Sequence, residues 1–294
     1  MEIFEFGRYV FGGHAALVLA ASVVMCLLGT TVAVREHNSR VSVFFFVMSL
    51  AVSSWLFCYA LMYAAPDGQT AERWARAGYF GAPFIPATAY VFSMELLGRA
   101  GRRSWLSVLL WGLGTVFAIG IIGGGWLIER MLHYSWGYYP DYHPTSGLLF
   151  IGAISAGVGA TVWEWWQAYR SAESDTRRTQ ARWFLVAFAL APLTLLDFLP
   201  SFHIDSYPFG YLVVVGVTAI MAGAILRYRL VELTPRFAAD KILDTMADPL
   251  LVCDVAGLIE VTNDAVEEIF GYEPDELVGR RVTDLVASGE DSAS

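Results

Sequence analysis

Residues 129–147 read ERMLHYSWGYYPDYHPTSG, two His, one Trp and four Tyr set between two long apolar runs. Such a stretch reads as a ligand-binding surface, a metal site or the aromatic collar of a membrane protein, and its surroundings decide which. Of the 294 residues, 56% are hydrophobic and 16% charged, with a mean hydropathy of +0.51. A soluble domain carries about 25% charged residues. Apolar runs fall at 11–34, 41–63, 78–97, 104–127, 147–169, 183–201 and 208–226, most of them close to the ~20 residues that cross a bilayer. The expected fold is an all-α membrane protein, a seven-helix transmembrane bundle over residues 1–230. The N-terminal MEIFEFGRYV is acidic and aromatic rather than basic, and the run after it is too long for a signal-peptide core, so it is expected to remain as an anchor.

Seven spans put the two ends on opposite sides of the membrane. The loops after the first, third, fifth and seventh runs hold 11 Arg, and the other side holds Arg8, Arg73, Arg76 and Arg130. Positive charge accumulates on the cytoplasmic side, which predicts a multi-pass protein of the cell membrane with its N-terminus outside and its C-terminal segment cytoplasmic. The opening stretch is then external. Trp and Tyr favour the membrane interface, which supports a collar. The loop exceeds what a connection needs and Pro140 and Pro144 stiffen it, which supports a sensing surface. His133, Trp136, Tyr138 and Tyr139 are the ligand candidates there, joined by Asp197, an ionisable group at membrane depth. His133, Asp141 and His143 lack metal-ligand spacing, and His203 and Asp205 reach them only if the outer loops fold together, so no metal site is assigned. Glu95 and Arg99 are four residues apart and are expected to pair on one helix face. Pro83 and Pro86 are expected to distort the third span and Pro192 the sixth.

Residues 232–294 hold 4 Lys and Arg against 15 Asp and Glu, a net charge of −11. That balance argues against nucleic acid as a partner. Cys26, Cys58 and Cys253 lie far apart and suggest buried thiols rather than a disulfide framework. Residues 231–247 read as a connector helix starting at Thr234 and Pro235. Leu226, Leu230, Leu233 and Phe237 follow heptad spacing, either as the contact of a homodimer or as a stripe packed on the chain's own domain. With Pro235 they are the candidate signal relay. In PLLVCDVAGLIEVTN two strands meet at Ala256 and Gly257, and two short helices after them end at Gly271 and Gly279.

This segment resembles the beginning of a PAS domain, on Asp254 at the end of the first strand, Gly257, Asn263 after the second strand, and IFGYEPDELVG. It implies a partial α+β unit over 248–294, with the remaining strands expected in a continuation of the chain. The front resembles the seven-transmembrane N-terminal region of sensor histidine kinases, on ERWARAGYFGAPFIPATAYVFSMEL, the WGYYP of the outer loop, RRTQARWFLVAFALAPL, YPFGYL and ILRYRL. The resemblance implies a membrane sensor that passes an external or membrane-borne signal, from a small-molecule or lipid ligand, through PAS to a kinase domain in cis and onward to a response regulator. No His follows His203, so no phosphoacceptor segment lies in residues 204–294 and no catalytic residue is assigned. Retinal is excluded because residues 208–226 contain no Lys for a Schiff base, and the cofactor stays unknown. A transporter is the rival reading, but corresponding pairs of Gly/Pro-broken helices are not evident.

Overall fold

The computed structural model describes residues 6–36, 39–101, 104–122, 126–172 and 174–228, then 246, 248–254, 256–263, 265–266, 271–272 and 277–283. The chain divides into two units, Met1–Val231 and Glu232–Ser294. The first contains α1 (Gly13–Arg35), α2 (Arg40–Tyr63), α3 (Gly68–Gly78), α4 (Ile85–Leu96), α5 (Ser104–Ile122), strands β1 (Ile128–Tyr134) and β2 (Gly137–Tyr142), α6 (Pro144–Arg170), α7 (Asp175–Leu190) and α8 (Gly210–Tyr228). Six stretches among the described residues are long and apolar enough to cross a membrane: Gly13–Arg35, Arg40–Tyr63, Ser104–Ile121, Pro144–Arg170, Asp175–Phe202 and Gly210–Arg227. Their outward side chains are apolar too, among them Leu17 and Leu27 on α1 and Val108, Val116 and Ile119 on α5. Helices that are apolar all round belong in lipid.

Lipid removes the usual hydrophobic drive between helices, so close backbone approach and polar contacts hold them together. α1 and α2 use both. Ser22 Oγ donates to the Ser53 carbonyl at 3.0 Å and Ser53 Oγ returns the bond to the Ser22 carbonyl at 2.9 Å. Further along α1, a Cβ on Gly29 would stand 2.6 Å from the Ser49 Cβ, which is why the helices meet there. Trp165 of α6 donates to Ser93 Oγ of α4 at 2.9 Å.

The third apolar run is not among these six stretches, because it is broken into short pieces. Residues 82–84 make one 3-10 turn containing Pro83, and α4 begins with Pro86 in its first turn. Each Pro removes a donor, so neither can sit further inside the helix. The 12 residues of α4 cover about 18 Å of helix axis, against a hydrocarbon core of about 30 Å. Pro192 acts similarly: α7 ends at Leu190 and Ala191–Phe202 continues as a 3-10 helix with Pro192 in its first turn.

One expected ion pair is replaced by another. Gly98 has φ +65°, its N–H reaches the Glu95 carbonyl, and the Arg99 N–H reaches the Met94 carbonyl at 2.8 Å. This pair of bonds is a left-handed helix stop. Arg99 therefore lies beyond the helix, off the face that carries Glu95, and its Nη1 meets Glu164 Oε2 of α6 at 3.2 Å.

In the second unit, β3 (Leu251–Cys253) and β4 (Ile259–Thr262) pair antiparallel over a core of Ile259, Val266 and Leu277. Asp254 Oδ1 accepts the N–H groups of Ala256 and Leu258, both at 2.8 Å, closing the turn that Gly257 makes at φ +76°. Buried Asn263 accepts from the Leu250 N–H at 2.8 Å and donates to the Asp248 carbonyl at 2.9 Å, tying the strand entry to the strand exit. Gly271 and Gly279 take φ +71° and +87°.

Candidate functional site

Residues 128–142 fold as a β-hairpin. Ser135 and Trp136 form a two-residue turn, and Arg130 faces Asp141, Leu132 faces Tyr139 and His133 faces Tyr138. Gly137 is needed twice over: its φ is +135°, and a Cβ there would stand 2.6 Å from the Tyr63 carbonyl oxygen at the end of α2. On its other flank the hairpin is tied to the 3-10 segment. Tyr134 OH donates to the Pro200 carbonyl at 2.9 Å, Ser201 Oγ to the Pro140 carbonyl at 2.8 Å, and Tyr139 OH to the Asp197 carbonyl.

Beneath the hairpin lies a cavity of about 130 Å³. Strand β2 supplies one wall with Tyr139 and Tyr142, and α2, α4, α6, α7, the 3-10 segment and α8 line it further, through residues such as Val52, Ala89, Phe150, Phe188, Phe198 and Val217. Its length follows α2 from Met48 to Tyr59, about 16 Å of helix. At the hairpin end three phenols meet. Tyr59 OH donates to Tyr79 OH at 3.3 Å, lies 3.5 Å from Tyr142 OH, and Tyr79 and Tyr142 share a short hydrogen bond. Burial holds the Tyr139 and Tyr142 hydroxyls well above the ordinary phenol range, so both stay neutral donors.

Asp197 joins this cavity to the last helix. Asp197 lines the wall, 8% of the residue is exposed, and both carboxylate oxygens accept the Gly210 N–H, Oδ1 at 2.8 Å and Oδ2 at 2.9 Å. Gly210 opens α8, where backbone N–H groups lack helical partners and the dipole favours negative charge. A Cβ on Gly210 would fall 2.3 Å from Asp197 Oδ2, so the contact needs Gly.

The candidate residues separate into two sets. Tyr139 and Asp197 line the cavity. Trp136, Tyr138 and His133 do not: Trp136 stacks on Tyr134 at 4.8 Å and approaches His14 and Tyr63, while exposed His133 lies edge-on to half-buried Tyr138. Tyr59, Tyr79 and Tyr142 were missed as candidates, although polar tips inside apolar runs mark Tyr59 and Tyr79. The loops carrying Asp141 and His203 do fold together, since buried Asp141 meets Arg130 Nε at 2.8 Å and His203 Nε2 at 3.4 Å. A guanidinium occupies the middle of this group, and its bond to Asp141 raises the Arg130 pKa above the ordinary value. No cluster of three or more metal-ligating side chains occurs among the described residues. In the relay set, half-buried Leu226 packs on the core around Phe45, Trp165 and Ile225, whereas Leu230, Leu233, Pro235 and Phe237 lie outside the described residues.

The family profile described as the N-terminal 7TM region of histidine kinase matches residues 17–235. The chain belongs to this family. A PAS-fold profile matches residues 239–293, which contain the Asp254, Gly257, Asn263, Gly271 and Gly279 framework. An uncharacterized protein of Azorhizobium caulinodans is 34% identical over 70 residues, 24% of this chain and 10% of that protein. The match thus spans a tenth of that relative's length. This histidine-kinase seven-transmembrane region is a multi-pass membrane sensor module joined to a PAS segment, and its cavity is walled by the hairpin on one side and by Asp197, the cap of α8, on another.

Proposed function

We propose that the cavity under the hairpin is where this sensor region receives its signal, and that α8 carries the response to PAS and to a histidine-kinase domain in cis, with a response regulator as the final acceptor. The observation that carries the reading is the bond from Asp197 to Gly210. One residue lines the cavity and holds the first residue of α8, so a ligand that shifts the 3-10 segment shifts the helix that leads to PAS. Such a ligand must bind one arrangement better than the other, or nothing is transmitted. The hairpin end of the bundle faces outward in this reading and the PAS segment lies in the cytoplasm, as the Arg distribution favours. The heptad spacing of Leu226, Leu230, Leu233 and Phe237 supports a homodimer at the connector, and lipid surrounds the bundle.

Helix phase supplies the test. In the full-length protein reconstituted in lipid nanodiscs, one Ala inserted after Val231 rotates everything beyond it by about 100°. Autophosphorylation should lock high or low. Insertion of seven residues, about two turns, should restore at least part of the wild-type level. Output that declines smoothly with insert length, with no periodicity, would sink helix relay and favour signalling by proximity of the two protomers.

A further inference from the structure

We infer that the cavity binds an uncharged amphiphile with a slender hydrocarbon body of about six to ten heavy atoms and one hydroxyl or carbonyl oxygen at its outer end. The inference rests on the proposed role of the cavity and adds the chemical class of its occupant. Size comes first. The cavity measures about 130 Å³, close to the engineered cavity of about 150 Å³ that accommodates benzene. Its extent along α2 favours a chain or a narrow ring over a globular molecule.

Charge is excluded from the body of the site. Among the described lining residues there is no Arg, Lys or His, so a carboxylate or phosphate would be desolvated without a counter-ion. The one lining carboxylate belongs to Asp197 and holds Gly210 with both oxygens. An ammonium ligand would have to draw it off the start of α8.

The polar end is selected by the three phenols. Each hydroxyl has one proton and two lone pairs. Tyr59 donates to Tyr79, Tyr79 and Tyr142 share their short bond, and the contact closing the ring, Tyr59 to Tyr142, is the longest at 3.5 Å. With Tyr79 donating to Tyr142 and Tyr142 to Tyr59, the order that gives each hydroxyl one donor and one acceptor role, the Tyr142 proton makes the weakest of the three bonds. A ligand oxygen takes it at little cost, and a ligand hydroxyl returns a proton to Tyr59. Because Tyr142 lies on β2, this bond links the occupant to the hairpin.

The inference is tested by photolabelling the full-length protein in lipid nanodiscs with a diazirine derivative of hexanol, beside matched derivatives of hexanoate and hexylamine. Adducts of the alcohol should concentrate at Tyr59, Tyr142, Phe150 and Val217 and be competed by excess hexanol. Ala89→Leu, which fills the cavity from α4, should reduce them about tenfold, the effect of roughly 1.4 kcal/mol. Val217→Phe, which fills it from α8, should do the same and keeps the test decisive if one variant fails to fold. Tyr142→Phe, which removes the donor, should weaken the alcohol several-fold and leave a hydrocarbon probe unchanged. Adducts spread over the lipid-facing Val108 and Val116 without competition would show partition into the bilayer only and overturn the site. Equal labelling by hexanoate or hexylamine would overturn its chemistry. Labelling reads occupancy without kinase output, and the insertion series reads output without ligand, so the two proposals fail separately.

Discussion

Both carboxylate oxygens of Asp197 accept the backbone N–H of Gly210, thirteen residues later in the chain, and so fix the start of α8 to the 3-10 segment. Loss of a side-chain cap typically costs about 0.5–2 kcal/mol, and Asp197→Ala should fall in that range. Gly210→Ala should cost at least as much, because its Cβ would stand 2.3 Å from Asp197 Oδ2. The double variant should be little worse than either single one, since both remove one contact. Thermal unfolding in detergent micelles measures all three, and additive losses would show that the two residues act independently.

Gly137 is the second backbone position that side chains cannot occupy. Gly137→Ala forces a Cβ into the end of α2 at a φ of +135°, and a strained φ costs about 1–3 kcal/mol. The hairpin should become sensitive to limited proteolysis while the helices stay protected. Gly152→Ala is the control, since nothing lies within 4 Å of its added Cβ and Ala is the better helix former. Equal effects of the two changes would remove the special role of Gly137.

Arg99 and Glu164 give a prediction that separates the observed pair from the expected one. Glu164 is 4% exposed, and a hydrogen bond to a charged group contributes about 1.5–3 kcal/mol. Arg99→Leu should therefore destabilise the bundle by about 2 kcal/mol. A double-mutant cycle of Arg99 with Glu164 should show coupling, and one with Glu95 should show almost none. Strong coupling to Glu95 alone would restore the pairing within one helix and contradict the turn at Gly98.

Orientation is tested by single Cys residues in a protein whose Cys26, Cys58 and Cys253 have been replaced by Ser. Thr145→Cys, exposed at the start of α6, should react with a membrane-impermeant thiol reagent in whole cells. Ser171→Cys, exposed at the far end of the same helix, should react only after lysis. The opposite pattern would invert the topology and place the hairpin in the cytoplasm.

The sequence by itself determined the membrane bundle, the Pro-induced breaks and the PAS framework, because these depend on local chemistry. About 20 apolar residues suffice to span lipid, Pro83, Pro86 and Pro192 remove backbone donors wherever the chain goes, and Gly257, Gly271 and Gly279 mark positive φ in place. The hairpin was not legible, since Pro140 and Pro144 marked the stretch as a stiffened loop. Pro140 sits in β2 because both strands of a two-stranded sheet are edges, where Pro is tolerated. Tertiary structure alone decided which aromatic residues face the cavity. Trp136 and Tyr139 are three residues apart, but one stacks at the hairpin tip and the other lines the cavity. It also brought Tyr59, Tyr79 and Tyr142 into one hydroxyl cluster and carried Arg99 from Glu95 to Glu164. These contacts join residues 20 to 83 positions apart. Such pairings depend on how helices and strands pack against one another, and periodicity within a single element contains no information about that.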